Sequence, residues 1–270
     1  PLRAIRFSAQ LGFAVEATTY EAIKDIAPNL VHVSRERVQV ELTKLLISPL
    51  PGRIRQVYET GISPWVSETF HRIPEISGGS CFHIPSSVPA EKSLRWAVFM
   101  RKCEPKEAVL VLKALKLDND TIYRVKTLVQ WIKVSLCGEP TEDGIQSDKD
   151  GAAIQAGYFK KGLSKHNDRI KTGLRRAMSR MEPELFDDLL RVKLCLAEEC
   201  PPAAECLRAL CCLRDEIRRD GDCISLKMLA VTGNDLIKAG MKPGKEVGTR
   251  LQQFLELVLE DPVRNTKEYL

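Results

Sequence analysis

Apolar residues in this 270-residue chain recur at spacings of three and four, and no segment alternates apolar with polar residues as a half-buried strand would. Leu2, Ile5 and Leu11 begin the series. Val38, Leu42, Leu45 and Leu46 continue it, and Val247, Leu251, Leu255, Val258 and Leu259 close it. Such spacing lines one face of a helix. The composition agrees, with 44% hydrophobic but only 6% aromatic residues and a bias to Leu, Ala, Lys, Arg and Glu, which favours helix over sheet. The expected fold is therefore all-α, an elongated multi-helix array with one core or two or three small ones.

Capping and breaking residues divide the array. Gly12 ends a first helix, which starts directly at Leu2, as a piece of something longer would. Thr18 to Glu21 reads as a capping box opening a helix that ends before Pro28. Ser34 is placed to cap a third helix, with Glu36 in its first turn and Arg37 and Glu41 paired across one turn of its surface. A helix follows over 53–59, and residues 62–92, rich in Ser, Pro and Gly, read as irregular connection. Helices are then expected over 93–102, 105–116 and 118–136, with Pro105 in a first turn and Asp118 or Asn119 as a cap. Gly138 to Gly144 reads as a linker, Ser147 or Asp148 opens a further helix, and Pro201-Pro202 separates helices over 183–200 and 203–219.

Several function classes lack their residues. None of the nine cysteines forms a C-x-x-C pair, and Cys195, Cys206 and Cys212 sit in apolar helical stretches, so they read as core thiols of a reducing compartment. No apolar run reaches the ~18 residues a membrane span needs, and no signal peptide opens the chain. A cytoplasmic protein without membrane contact is expected. There is no G-x-S-x-G, Walker loop or dinucleotide fingerprint. The four histidines are scattered; His71 and His83 flank a loop and could share a metal, but they read first as surface or loop histidines. No catalytic residue and no metal ligand is assigned.

Two basic features fit a polyanionic partner, as the formal net charge of +5 allows. In the first, Lys165, Arg169, Arg176 and Arg180 fall on roughly one side of a helix, where they could track duplex phosphates. The second lies near the C terminus. Thr232 caps a short helix over 234–239, Gly240 ends it, and Lys242-Pro243-Gly244-Lys245 leads into another helix containing Gly248. The first amides of that helix lack internal acceptors, and together with the helix dipole they favour an anion. Gly244 and Gly248 would let a phosphodiester come close, and Lys242 and Lys245 add charge. Gly240 as a plain helix stop and Gly248 as a packing glycine are the alternatives. Trp65, Trp96 and Trp131 could stack bases, though helical spacing suits Trp96 and Trp131 to a core.

The blocks at the two ends resemble one family in order and spacing. Leu2-Arg3-Ala4-Ile5-Arg6-Phe7-Ser8-Ala9-Gln10-Leu11-Gly12-Phe13 looks like the neck helix of class II tRNA nucleotidyltransferases and bacterial poly(A) polymerases. Ile26-Ala27-Pro28 with Val33-Ser34-Arg35-Glu36-Arg37-Val38-Gln39-Val40-Glu41-Leu42 resembles that family's helix-stabilising motif, in which Ser34, Glu36, Arg37 and Glu41 stand. Val231 to Ile237, Gly240 to Gly248 and Asn265-Thr266-Lys267-Glu268 resemble its tail, especially that of CCA-adding members.

The resemblance implies neck helices over 1–50, a helical body over 51–137 and a tRNA-binding tail over 138–270. It implies a separate N-terminal head for Mg2+, CTP and ATP, with Arg3 and Arg6 as the trailing edge of the nucleotide-templating motif and no cofactor in this chain. The partner it implies is the acceptor arm and elbow of tRNA. Some relatives carry a His-Asp metal doublet in the body, whereas here Arg101-Lys102 follows Leu94 to Met100. The alternatives are the same portion of a poly(A) polymerase, or a helical protein-interaction scaffold without RNA affinity.

Overall fold

Residues 1–136 and 164–270 are described by a computed structural model, with 164–167 as backbone alone. The expected linker over 138–144 and the helix at Ser147 or Asp148 lie outside the described residues. Every regular element among the described residues is helical. The chain divides into two compact units, Pro1–Val134 with Arg191–Leu196, and Ser135–Leu190 with Ala197–Leu270.

In the first unit, α1 (Leu2–Leu11) buries Leu2, Ile5 and Ala9, and it packs on α3 (Arg35–Leu46), which buries Val38, Leu42, Leu45 and Leu46. Gly12 closes α1 in the left-handed region. The carbonyls left open there are met by Arg53, whose guanidinium donates to Ser8 O at 2.7 Å and Gly12 O at 3.0 Å, and also to Phe13 O. A cation at a helix C-terminus is favoured by the dipole as well. Helix α2 (Ala17–Ile26) is capped by Glu16 rather than Thr18. The Glu16 carboxylate accepts from the Thr19 amide at 3.0 Å and from the Thr18 hydroxyl, so the longer side chain takes the place expected for the threonine.

After α4 (Arg55–Glu59), the segment read as irregular contains three one-turn helices, α5 (Ser63–Val66), α6 (Glu68–His71) and α7 (Ile73–Ser77). Pro64 and Pro74 sit in first turns, where their missing amides cost nothing. Ser67 caps α6, and Val66, Phe70 and Ile73 reach the core. Helix α8 (Lys92–Phe99) is buried almost throughout; Trp96 is a core residue whose indole donates to Thr43 Oγ1 at 3.0 Å. Burying a large apolar side chain is worth about 1.5–3 kcal/mol, and the indole bond avoids an unpaired donor. Helices α9 (Pro105–Ala114) and α10 (Asn119–Ile132) complete this layer, with Pro105 in the first turn and Asp118 accepting from the Thr121 amide at 2.8 Å. Arg101 is buried and donates to Val98 O and Ser80 O.

The second unit contains α11 (Ser164–Met178), most of α12 (Pro183–Leu196), α13 (Pro201–Asp220), α14 (Gly233–Lys238) and α15 (Lys245–Glu260). Pro201-Pro202, read as a break, is instead the first turn of α13. Helix α11 packs on α13 and α15. Cys223, Leu229, Leu255, Val258 and Leu259 form one core cluster. Arg175 is drawn into this unit, with Nε 2.6 Å from Asp222 Oδ2 and Nη1 3.3 Å from Leu259 O. Cys195 and Cys206 are buried free thiols as expected, but Cys212 is exposed.

Candidate nucleic-acid interface

Helix α14 begins with a reciprocal capping box. The Thr232 amide donates to Asp235 Oδ2 at 2.8 Å and the Asp235 amide donates to Thr232 Oγ1 at 3.4 Å. The bonds from Thr232 lower the Asp235 carboxyl to about 2. The helix ends on Gly240 at φ 101°, with Gly240 N donating to Ile237 O and Met241 N to Leu236 O, both at 3.0 Å. That pair of bonds is a Schellman closure. Gly240 is thus required by its backbone angle, and its amide is used inside the turn.

The next residues face solvent. Lys242, Pro243, Gly244, Lys245, Glu246 and Gly248 are all exposed. Gly244 holds φ 153° as the residue before α15 and offers no side chain to cap it. The Val247 amide donates to Gly244 O at 3.3 Å, so the amides of Lys245 and Glu246 are the ones left at the positive end of this 16-residue helix, beside two exposed lysines. A Cβ at Gly248 would meet nothing within 4 Å, so the packing alternative for this glycine has no support. The packing glycine is Gly233, where a Cβ would lie 3.2 Å from Val247 Cγ1. Sequence reasoning did not single out Gly233, because a first-turn glycine carries no sign of what it packs on. Asn265 anchors the approach to the hairpin: its Oδ1 accepts from Ala230 N at 2.8 Å and its Nδ2 donates to Met228 O at 3.0 Å.

The expected basic stripe divides, because α11 ends at Met178 and Arg180 lies in the turn that follows. Arg176 lies 2.6 Å from Glu260 and 3.5 Å from Glu256, and Arg180 lies 3.2 Å from Glu256. Both are turned toward the acids of α15, a pairing that helical spacing on α11 alone could not reveal. Arg169 is exposed and has no partner among the described residues. The Lys165 side chain lies outside them.

In the first unit, Arg6 is buried, with Nε 2.5 Å from Glu41 Oε2 and its guanidinium 3.9 Å from the Phe7 ring. The expected Arg37–Glu41 surface pair is absent, because Glu41 is held by α1; Arg37 is exposed. Ser34 occupies the cap position of α3 through its carbonyl, which accepts from Val38 N at 3.1 Å. Glu36 pairs with Lys116 at 2.8 Å. Arg3 is exposed beside a cleft of ≈ 630 Å³ whose walls include Leu30, Glu36, Arg37, Val38 and Glu41. Trp65 is exposed and Trp131 half-buried. His71 Nδ1 is 2.8 Å from Ser63 Oγ. Among the described residues no three His, Cys, Asp or Glu side chains gather as a metal ion would need. Among them, too, no helix is long and apolar enough to cross a membrane.

Comparison with known proteins meets these features at both ends. Residues 12–70 match the family model described as "Probable RNA and SrmB-binding site of polymerase A", and residues 214–270 match that of "tRNA nucleotidyltransferase domain 2". The CCA-adding enzyme of Geobacillus kaustophilus is 28% identical over 99% of this chain and 57% of its own length. At both ends the chain is thus similar to the tRNA nucleotidyltransferase and poly(A) polymerase family. The CCA-adding enzyme of Lacticaseibacillus paracasei is 27% identical over 98% of this chain and 55% of its own length. The fold is that of the Bacillus stearothermophilus CCA-adding enzyme crystallised with CTP, at TM-score 0.66 and 23% identity over 99% of this chain and 58% of that one. The chain therefore spans a little over half the length of these relatives.

Proposed function

We propose that this chain is the tRNA-gripping neck, body and tail of a CCA-adding enzyme. In this reading it holds the acceptor arm and elbow so that the RNA 3′ end reaches a nucleotidyltransferase head. The observation that carries the proposal is the α14–α15 hairpin. Its uncapped helix start, its two exposed lysines and the unobstructed Gly248 form a cradle for a phosphodiester. The match of residues 214–270 to a tRNA nucleotidyltransferase domain lies on the same hairpin and favours tRNA over a poly(A) substrate. Mg2+, CTP and ATP belong to the head in this reading.

Filter or gel binding of residues 1–270 to tRNA across a salt series tests the proposal. Affinity should fall by at least about tenfold between about 50 and 200 mM salt, as phosphate contacts release counterions. An absence of tRNA binding, or binding indifferent to salt, overturns it.

A further inference from the structure

The first unit holds a cleft of ≈ 540 Å³, within the range of about 300–1,000 Å³ usual for small-molecule sites. Arg55, Tyr58, His71, Arg72, Glu75 and Phe82 are among its walls.

One wall is aromatic and fixed in place. Tyr58 stacks on Phe70 with ring centroids 5.3 Å apart and meets Phe82 edge-on at 5.4 Å. The Tyr58 hydroxyl donates to Phe70 O at 2.9 Å, so the side chain cannot swing away about its Cα–Cβ bond without losing that bond. Burial pushes the Tyr58 phenol and the nearby Cys81 thiol upward, so this wall carries no negative charge near neutral pH.

The remaining groups are charged or polar. The Arg55 guanidinium lies 5.0 Å from the Phe82 ring centroid, and Arg55 is exposed. The His71 ring is oriented by its Nδ1 contact with the buried Ser63 hydroxyl, which leaves Nε2 for another partner. Arg72 has its nearest carboxylate, Glu75, only at 4.0 Å. Glu59, the other acid of the cleft, accepts from the Tyr20 hydroxyl at 2.9 Å. One carboxylate oxygen of Glu59 then remains to accept from a ribose hydroxyl or an exocyclic amine.

Aromatic rings and guanidinium planes stack nucleobases, and a guanidinium fork binds phosphate oxygens in pairs. We propose that this cleft binds one nucleoside 5′-phosphate unit, with the base stacked on the Phe82–Arg55 pair and the phosphate held by Arg72 and His71. Nothing in this site draws on the α14–α15 hairpin, so it stands apart from the tRNA-gripping reading. A free mononucleotide and one nucleotide of an RNA strand offer the same chemistry.

The test is equilibrium binding of radiolabelled AMP and UMP to residues 1–270, and to the Arg55→Met and Arg72→Met variants. Both arginines are exposed, so both variants should melt at the temperature of the parent protein. Saturable binding weakened about tenfold or more in each variant is expected. Displacement of AMP by tRNA would identify an RNA nucleotide as the occupant, and AMP that stays bound in the presence of tRNA would identify the free nucleotide. Absence of saturable binding up to millimolar nucleotide, inorganic phosphate competing as well as AMP, or affinities unchanged in both variants would overturn the proposal.

Discussion

Arg6 and Glu41 form an ion pair that is largely withdrawn from water, at 2.5 Å with side chains 9% and 19% exposed. It ties α1 to α3 across 35 residues of sequence. Gln10 accepts from the same guanidinium, and the Phe7 ring lies against it. Removing one partner leaves a buried charge alone, so Arg6→Ala and Glu41→Ala should each destabilise the fold by about 3 kcal/mol. The double change Arg6→Met with Glu41→Leu should recover most of that loss. Urea unfolding of the four proteins measures it, and single variants as stable as the parent would show that the pair is not structural.

Gly248 separates packing from binding. It lies in the first turns of α15, is exposed, and a Cβ added there would have no neighbour within 4 Å. Gly248→Ala should therefore stabilise the helix by about 0.5–1 kcal/mol, because alanine is the better helix former. The same methyl would stand where a phosphodiester has to approach, so tRNA affinity should drop several-fold. Thermal melts and filter binding on one preparation measure both effects. A variant that is more stable and binds tRNA as before would remove Gly248 from the interface.

Acid should loosen both units through their helix caps. Hydrogen bonds from Thr232 lower Asp235 to about 2, and those from Thr18 and Thr19 lower Glu16 to about 2. Asp118 is lowered by Lys92 first and then by the Thr121 amide. For each group the folded value is below the unfolded one of about 4, so the unfolded chain binds the proton first as pH falls. Their contribution is complete above about pH 4 and is lost toward pH 2. Asp118→Ala should cost about 1 kcal/mol at pH 7 and flatten the acid limb of stability against pH. An acid limb identical to that of the parent would assign the loss to other groups.

Where the chain's own neighbours decide the local structure, the sequence was readable. Gly12, Pro105, Asp118 and the Thr232 cap each act within a few residues, and each stands at the helix end expected of it. Helices α5 to α7 were not legible because a single turn carries no periodicity; what fixes them is the burial of Val66, Phe70 and Ile73 against distant residues. The candidate site divides in the same way. The glycine turn and its lysines are local and could be read directly. The pairing of Arg176 with Glu260, 84 residues away, and the capping of α1 by Arg53 are not local, and before folding these arginines look like any other solvated charge.

That division leads to a direct comparison of the two basic features. Lys242 and Lys245 are exposed at the open helix start, whereas Arg176 and Arg180 already face Glu256 and Glu260. Replacing both lysines with Glu should reduce the slope of log affinity for tRNA against log salt by about two, one for each lost phosphate contact. Replacing both arginines with Ala should leave that slope nearly unchanged. It should also cost less than about 1 kcal/mol of stability, since exposed ion pairs contribute little. Salt series on the two double variants make the comparison. If the arginine variant loses the slope and the lysine variant keeps it, the RNA lies along α11 and the hairpin is only a helix joint.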